Sequence, residues 1–558
     1  MNRPNSRKFI RTPSQQLLVL ALAALVGIVL LMTALSMASG STDVKAGVDA
    51  ASKTITVSIA TEPPQLDGSI TADTISGFVL GHVMEGLLRK DENNNLVAGV
   101  ADRWDITATG ATFWIRKDAK WSDGKPVTAH DFVFAWRKVV DPATASEYAN
   151  IMSPIRNADK VNSGKLPVTA LGVQAVGDRE LRVQFVKPVP YFAQLMAFNI
   201  FYPIREDFFN STNGRYASSA ETLLYNGPFK MTRWVHGAHI RMVKNPEYWD
   251  RDIIEVNAID IPYFTSDPSA VINLFRDRQI ALAPISQENL EEAQLLDWNM
   301  KSFLTGGVFY VEFNHRDGKI TNNRNFRKAL QYALNSKIEV NKVIKVPGYL
   351  PGKSLFPIWL DGANDKFRKE YPAVEFIHDR AKAREYLKKA KNQLGLKTIP
   401  PIMLLTGDNP QSNKIAEYYQ DTLKRQLGLD VRIDGQIFKQ RLAKMLAGDF
   451  DIVMTGWGPD YADPLTFGDL FMTGNVNNRG NYSSAAYDRQ VRIAQNSTDP
   501  AVRAAAFGAL QQIVFDDAVI LLEYESALLY TVDPRITGVV RRVIGTDPDY
   551  TYVKFVKE

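Results

Sequence analysis

The apolar segment Leu17–Met32 constrains the chain most, because it decides in which compartment the remaining residues must fold. It reads LLVLALAALVGIVLLM, without a polar side chain, and follows a basic head. That head contains Arg3, Arg7, Lys8 and Arg11. A basic head, an apolar stretch and the small-x-small ending Ser36–Ala38 are typical of a secretory signal. Because basic residues keep the N terminus in the cytoplasm, the sequence predicts a body that lies outside it.

Two fates of this segment stay open. Extended to Ala38, it is long enough to span a bilayer uncleaved. Residues 1–38 are therefore a signal peptide or an N-terminal membrane anchor, and residues 39–53 form a linker. We expect a periplasmic protein, or one at the outer face of the cytoplasmic membrane that Leu17–Ala38 anchors. The sequence has no cysteine, which excludes disulfides, cysteine-bound metals and lipid attachment to a cysteine.

The charge of the chain argues against nucleic acid as a partner. The net charge is +5 at pH 7, and four of the excess cations precede Leu17. The body is thus nearly neutral and has no basic block that could neutralise phosphates. We therefore predict that the protein does not bind nucleic acid.

Strand and helix patterns alternate along the body. Residues 54–60 alternate between polar and apolar, which predicts a half-buried strand, and a helix capped by Asp73 follows. Later, Val308–Phe313 predicts a strand and Asn325–Ile344 a long amphipathic helix. Such mixed patterns predict an α/β architecture with several sheets. Further helices are predicted at Arg380–Asn392, Asn413–Gln426 and Ala501–Phe515, and further strands at Pro401–Leu405, Val431–Ile433 and Asp451–Thr455.

Patterns of catalytic and metal-binding residues are missing from the sequence. It contains no G-x-S-x-G, H-E-x-x-H or G-x-G-x-x-G motif. The close histidine pair His236 and His239 flanks a glycine, which predicts a turn rather than a zinc site. Gly348–Ser354 has three residues between its glycines where a phosphate loop needs four, so we interpret it as a turn. The sequence thus predicts a protein that is not an enzyme and has no metal or cofactor.

Two segments are more informative than the rest. Residues 116–136 predict a strand end, an Asp-Gly turn and a capped helix that buries Phe132 and Trp136. Residues 450–464 predict an apolar strand followed by Gly456–Gly458 and by Asp460 between two prolines. Glycines let another backbone approach closely, and tryptophan offers a flat apolar wall. Taken alone, an acid in such a loop is more often solvated than ligand-binding.

Taken together, these segments resemble the periplasmic oligopeptide-binding proteins, which are peptide ABC transporter receptors of extracellular solute-binding family 5. The resemblance covers residues 54–557. Its motifs are Glu85–Leu88, residues 116–136, Asp141–Tyr148, Lys187–Phe192, Asn245–Asp250 and residues 450–464. It implies a periplasmic-binding-protein type II-like α/β fold, with two lobes joined by a two-crossing hinge and a small inserted third domain. The implied ranges are lobe I at 52–84, 210–308 and 528–558, the insert at 85–209, and lobe II at 309–527.

The resemblance also implies which residues bind a ligand. Asp460 corresponds to the family's aspartate for the α-amino group of a peptide, a charge-assisted hydrogen bond shielded from water. Residues 456–458 would pair with the ligand backbone as an added strand. Gly306–Gly307 would lie at one hinge crossing. The full set of implied ligand-binding residues is Asp460, Trp457, Gly456, Gly458, Tyr148, Tyr310, Glu312 and Tyr524.

One departure concerns the other end of the ligand. Family members that bind free peptides often meet the C-terminal carboxylate with arginines, and the corresponding positions here hold Met445 and Met454. Another cation such as Arg441 or Lys444 replaces them, or the ligand ends differently. A cell-wall peptide with its own carboxylates would be such a ligand.

We therefore expect a monomeric receptor that captures short peptides for an inner-membrane ABC permease and needs no cofactor. Two alternatives stay open: a receptor for a non-peptide or cell-wall-derived solute, and a membrane-anchored sensor or chaperone. The carboxylate of Asp460 favours a ligand with an amine. An uncleaved Leu17–Ala38 would favour the anchored role.

Overall fold

A computed structural model of the chain describes residues 46–71, 73–374 and 377–556. The elements given below belong to the unit that runs from Gly47 to Glu558. The predicted signal or anchor Leu17–Ala38 lies outside the described residues. Within them, no helix combines the length and the apolar character that crossing a bilayer requires. Val48–Asp49, inside the predicted linker, already pairs with the next strand.

Strands and helices alternate along the described residues, as the sequence pattern predicts. The strands are β1 Val48–Asp49, β2 Thr54–Ile59, β3 Leu88–Lys90, β4 Leu96–Ala98, β5 Ala101–Ile106, β6 Gly110–Ile115, β7 Val173–Val176, β8 Glu180–Gln184, β9 Phe229–Val235, β10 His239–Lys244, β11 Ala258–Phe264, β12 Leu282–Ile285, β13 Met300–Phe313, β14 Leu350–Pro351, β15 Ile402–Gly407, β16 Val431–Gln436, β17 Ile452–Trp457, β18 Ile520–Val532, β19 Ile536–Thr537 and β20 Lys554–Phe555. The helices are α1 Thr74–Val83, α2 Ala129–Val140, α3 Ala158–Asn162, α4 Phe192–Leu195, α5 Glu206–Ser211, α6 Pro268–Arg276, α7 Leu290–Leu295, α8 Arg324–Ala333, α9 Ser336–Ile338, α10 Phe367–Glu370, α11 Arg380–Leu394, α12 Pro410–Leu427, α13 Phe438–Ala447, α14 Leu465–Gly468, α15 Ala485–Asn496 and α16 Pro500–Asp516.

The first sheet has the strand order β1-β2-β11-β10-β9, in which β2 and β11 pair in parallel. The chain leaves this sheet after β2 and returns at β9. In between, it forms an antiparallel sheet β5-β6-β8-β7, on which α2 packs. Phe132 and Trp136 of α2 are fully buried, as predicted, and Asp131 accepts a hydrogen bond from the backbone of Thr128 as a helix cap. One hydrophobic core is shared by the two sheets.

The second large sheet has the order β12-β18-β13-β17-β15-β16, with β14 added to β18. Its two longest strands, β13 and β18, pair antiparallel with each other, and the register shifts between Leu304 and Val308. Gly306, predicted at a hinge crossing, lies in this irregularity with φ +84°. A Cβ there would lie 2.1 Å from Val543 Cγ1, so only glycine fits.

The prediction of one long helix at Asn325–Ile344 is wrong. Helix α8 ends at Ala333, α9 is a short turn, and a π-helical turn follows at Glu339–Ile344. The side chain of Asn335 accepts hydrogen bonds from the backbone of Lys337 and Ile338, at 3.0 and 3.3 Å. Asparagine thus starts a new helix instead of continuing the old one, because its side chain competes for backbone donors.

Candidate ligand-binding site

A cavity of about 200 Å³ brings together two of the predicted ligand-binding residues, Tyr148 and Asp460. The cavity lies against the start of α1, which Asp73 caps with a 2.8 Å hydrogen bond to Ser76 N. The other lining residues come from four parts of the chain. The first contains Thr71, Asp73, Thr74 and Gly77; the second, Ala197–Asn199 and Tyr202; the third, Pro459; and the fourth, Val543–Thr546. Such convergence of distant segments is typical of a binding site.

The loop that carries Asp460 is fixed at both of its ends. Thr466 Oγ1 accepts hydrogen bonds from Asp460 N at 3.2 Å and from Trp457 Nε1 at 3.3 Å. Asp463 is buried and accepts two hydrogen bonds from the Arg503 guanidinium, at 2.6 and 2.8 Å. Bidentate pairs of this kind are geometrically specific, so α16 holds the loop in place through Arg503.

The carboxylate of Asp460 is exposed to the cavity and accepts no hydrogen bond from the described residues. The surrounding protein nevertheless removes enough water to raise the pKa of Asp460. Burial, and then the charge of Asp460, raise the pKa of Asp469 to about 7. The same two causes raise the pKa of the Tyr148 phenol. These shifts indicate a negative potential that a cation would offset.

Aromatic rings form the walls next to this carboxylate. Tyr148 packs edge-on against Phe198 at 5.5 Å, and Tyr191 stacks on Tyr461 at 4.4 Å. Sequence reasoning missed Phe198, Asp469 and this stacked pair. A signal existed for the stacked pair, because Tyr191 and Tyr461 both lie in motifs of the family resemblance. An isolated phenylalanine or aspartate carries no such mark.

Strand β17 has a partner along its full length on one side only. β13 pairs with all of it, from Ile452 to Trp457, whereas β15 pairs with Ile452 and Val453 alone. On the side away from β13, residues Met454–Gly458 have no strand partner among the described residues, and we call this side the β17 edge. Exposure rises along it, from buried Met454 to exposed Gly458. An unpaired edge can accept another extended chain.

The glycines of this strand have different surroundings. A Cβ at Gly456 would lie 2.8 Å from Phe309 Cδ1, so the missing side chain makes room for that ring. Gly458 has no atom within 4 Å of the same point, and its surface is open. The predicted role in ligand pairing therefore fits Gly458, which lies on the unpaired β17 edge and has an open surface. Gly456 has in addition a structural role on the face covered by Phe309.

Three of the predicted residues lie away from the cavity. Tyr310 is buried against Phe471 at 5.7 Å, and Glu312 accepts a hydrogen bond from Gly480 N at 2.5 Å. Burial raises the pKa of Glu312 to about 7. Tyr524 stacks on Phe309 at 4.7 Å. The structure thus does not bring these side chains to Asp460. Tyr310 and Glu312 share one covered face of β13, whereas Tyr524, on β18, lies with Phe309 on the other covered face.

The methionines that depart from the family pattern are buried. Met445 is 2% exposed and packs with Leu405, Phe450 and Val453. Lys444, one candidate replacement for the family's arginines, is paired with Asp434 at 2.5 Å and lies near Asp449 at 3.7 Å. Lys444 is therefore already neutralised by carboxylates of its own chain.

Comparison with known proteins identifies relatives along nearly the whole chain. Residues 95–479 match the model of the bacterial extracellular solute-binding proteins, family 5 Middle. The periplasmic oligopeptide-binding protein OppA of Salmonella typhimurium is 31% identical over 538 residues, which cover 94% of this chain and 96% of that protein.

Solved structures agree with this result. The substrate-binding domain of an oligopeptide ABC transporter from Bacillus anthracis has a TM-score of 0.71 at 32% identity, covering 91% of this chain and 99% of that one. The murein tripeptide-binding protein MppA, in an unliganded open form, has a TM-score of 0.79 at 25% identity, covering 92% and 99%.

These likenesses confirm the predicted family and the periplasmic-binding-protein type II-like α/β fold class. They also confirm that the chain is not an enzyme, since the matching proteins are binding proteins. The chain belongs to the bacterial extracellular solute-binding proteins of family 5.

Proposed function

We propose that the protein is the extracytoplasmic receptor of a peptide ABC importer, and that Asp460 binds the α-amino group of a short peptide. The observation that carries this proposal is the carboxylate of Asp460, which faces the cavity without a hydrogen-bond donor or cation from the described chain. An α-ammonium group is the complementary partner, because it donates up to three hydrogen bonds and carries the opposite charge.

The acidic surroundings support the same partner. Asp469 lies close enough to Asp460 for the charge of one to raise the pKa of the other. Two carboxylates in partly desolvated surroundings repel each other, and an ammonium bound at Asp460 relieves that repulsion. Tyr148, which lines the same cavity, offers a hydroxyl.

The β17 edge supports a ligand with a peptide backbone. Main-chain pairing with an extended ligand provides affinity without reading side chains. In this proposal the edge from Gly456 to Gly458 pairs with the first residues of the peptide, next to the amine at Asp460. Trp457 then provides an apolar wall beside them.

The wider setting of the proposal is that of the family. The two lobes and the insert keep the ranges implied by the resemblance, and a monomer delivers its ligand to an inner-membrane ABC permease. Residues 1–38 export the body as a cleaved signal or hold it at the outer face of the membrane. The names of the relatives, which include oligopeptide-binding proteins, support this function.

A cell-wall peptide is the second candidate ligand. Met445 and Met454, at the positions where family members that bind free peptides often have arginines, favour it. Both candidates predict an amine at Asp460, and they differ in the chemistry of the ligand beyond that amine.

The test is native mass spectrometry of the exported body, followed by calorimetric titration with peptides that have free or acetylated N termini. We expect acetylation to abolish detectable binding. Asp460→Asn keeps the shape of the side chain but removes its charge, and should weaken binding of the free peptide by about 2–5 kcal/mol, the usual loss when one partner of a shielded charge pair is removed.

The matched control is Glu147→Gln, which removes an exposed acid next to Tyr148. We expect this variant to bind within a few-fold of the unmodified protein. Equal binding of free and acetylated peptides would refute amine recognition. A co-purified mass that is not a peptide would redirect the function to another solute, and murein fragments would identify the second candidate.

A further inference from the structure

A second cavity, of about 70 Å³, adjoins the cavity at Asp460. Helix α1 runs along both of them, since Gly77 lines the first and Gly81 the second. Four helical residues rise about 6 Å, so the two cavities lie about one helical turn apart. A ligand group that enters the first cavity can therefore extend towards the second. The residues that line both cavities are Ala197, Phe198, Tyr202 and Ile544–Thr546.

Lys90 lines this second cavity, which we call the Lys90 cavity. It is the last residue of β3, and its carbonyl oxygen accepts hydrogen bonds from the Tyr552 hydroxyl at 3.1 Å and from Arg542 Nη2 at 3.2 Å. The backbone from which the side chain extends is thus held in place. The ammonium group of Lys90 forms no hydrogen bond or ion pair with the residues that the structure describes.

The surroundings of Lys90 make an unpaired ammonium costly. The residue is half-buried, and burial, followed by the positive charge of Arg542, lowers the pKa of Lys90 to about 8. A cation in a partly dry place loses water without gaining a partner, and a bound anion would compensate for that loss. The cavity has room for one carboxylate group, because a single water molecule occupies only about 10–15 Å³ of such space.

The other charged groups of the Lys90 cavity have partners within the chain. Arg542 forms an ion pair with Asp549 at 2.6 Å. Arg89 lies 3.9 Å from Glu85 and also pairs with a second carboxylate, outside the cavity. Among the described residues that line this cavity, Lys90 is thus the cation that lacks a counter-charge.

One carboxylate outside the cavity attracts Lys90. The charge of Asp361 raises the pKa of Lys90, but burial and Arg542 outweigh it. Asp361 forms an ion pair with Lys366, and its side chain is 81% exposed. Water screens so exposed a charge, so Asp361 leaves Lys90 available to an anion from the ligand.

We propose that Lys90 binds an acidic side chain on the first residue of the peptide whose α-amino group is bound by Asp460. The inference rests on the peptide-binding function proposed above and deepens it by naming a class of ligand, short peptides that begin with glutamate or aspartate. A glutamate side chain places its carboxylate roughly 5 Å from its α-amino nitrogen, a distance comparable with the helical turn between the two cavities. Both charges of such a residue then meet opposite charges on the protein.

The test compares two tetrapeptides, Glu-Ala-Ala-Ala and Gln-Ala-Ala-Ala, which have nearly the same shape and differ in one charge. Calorimetric titration of the exported body measures both dissociation constants. We expect the peptide with glutamate to bind at least roughly 10-fold more tightly, as for a hydrogen bond to a charged group. Lys90→Met keeps an unbranched side chain without the charge and should make the two peptides bind equally, whereas Lys90→Arg should keep part of the preference.

Lys117→Met is the matched control, because it removes the same charge from an exposed position that lines neither cavity. It should leave the preference for glutamate unchanged. A second peptide pair, Ala-Ala-Ala-Glu and Ala-Ala-Ala-Gln, should bind equally to the unmodified protein. This pair decides the matter if Lys90→Met does not fold, since a preference as strong at the last residue as at the first would overturn the proposal.

The outcomes separate this proposal from the one on Asp460. Equal binding of the first pair by the unmodified protein, or a preference that Lys90→Met retains, would overturn the role of Lys90 and leave the amine site intact. A preference for glutamate that persists when both N termini are acetylated would support Lys90 and refute amine recognition. Binding of neither peptide would overturn both proposals.

Discussion

Two glutamates in the interior share the hydroxyl of one tyrosine. Glu339 and Glu523 are each 1% exposed, and Tyr419 donates its hydroxyl hydrogen to Glu339 Oε2 at 2.7 Å. Oε1 of each glutamate has no hydrogen-bond partner among the described residues. Burial raises the pKa of Glu339 to about 8, and burial together with the charge of Glu339 raises that of Glu523 well above its ordinary value. The pair therefore holds at least one proton at neutral pH.

This pair predicts that stability falls as pH rises. Glu339 titrates near 4.5 in the unfolded chain and near 8 in the folded one, so the folded state binds more protons in between. Its stabilising contribution is complete below pH 4.5 and is lost as pH rises through 8. We expect the free energy of unfolding to fall as the pH rises from 4.5 to about 8, by at most about 1.4 kcal/mol per pH unit for each proton.

Urea denaturation across this pH range measures the effect. Glu339→Gln should flatten the pH dependence, because the amide cannot ionise. Glu385→Gln, an exposed residue paired with Lys389, is the control and should keep the slope of the unmodified protein. An identical slope in the Glu339 variant would mean that another group is responsible.

At the scale of elements, the pairing of β13 with β17 depends on one glycine. Alanine at position Gly456 would place its Cβ 2.8 Å from the ring of Phe309, which is stacked on Tyr524 and cannot easily move. We expect Gly456→Ala to lower the free energy of unfolding by about 1–3 kcal/mol, as overpacking does. Gly458→Ala, with no atom within 4 Å, should change it by less than about 0.5 kcal/mol.

Thermal and urea unfolding of the two variants provide the comparison. The substitution is the same, and the positions differ by two residues, so any intrinsic cost of alanine in place of glycine largely cancels. Equal stability of both variants would show that Phe309 moves away from its position over Gly456 without cost.

Elements with a clear period were predictable from the sequence. Helices α11, α12 and α16 and strands β15, β16 and β17 lie where the patterns place them, with ends shifted by a few residues. The break in the helix predicted at Asn325–Ile344 was not predictable in this way, because a single asparagine can cap a new helix without changing the period of the apolar residues. The helix boundary thus depends on a side chain that competes for backbone hydrogen bonds, which the period of apolar residues does not reveal.

The candidate site was predictable where a motif marked it. Asp460 and Tyr148 lie in segments of the family resemblance, and the structure brings both to one cavity. Tyr310 and Glu312 were implied by the resemblance through their place on a strand near the family's interdomain crossing, and that place does not tell whether a side chain meets a cavity or a core. Phe198 and Asp469 enter the site only through the folding of distant segments, which the sequence does not display.

On the scale of the whole molecule, two long strands connect parts of the chain that the resemblance assigns to different lobes. β13 and β18 pair with each other on both sides of the irregularity at Gly306. The stack of Tyr191 on Tyr461 joins the predicted insert to the predicted lobe II at 4.4 Å. We expect small changes at these two places to rotate one predicted lobe against the other, as in hinge closure.

This arrangement predicts that ligand binding makes the molecule more compact. A ligand that contacts both lobes stabilises the closed form through contacts available only there. Small-angle X-ray scattering should report a smaller radius of gyration when a bound peptide is added to ligand-free protein. A profile that does not change, at a concentration that saturates the calorimetric signal, would contradict a hinge.

The β17 edge has a consequence for the empty protein. An unpaired strand edge accepts any extended chain, including a strand of another copy, and natural proteins protect such edges against aggregation. Here Pro459, which cannot donate a backbone hydrogen bond, limits the length of the edge. The form most exposed to self-association is therefore the receptor without its ligand, so a bound ligand would also protect the protein that carries it from forming insoluble assemblies.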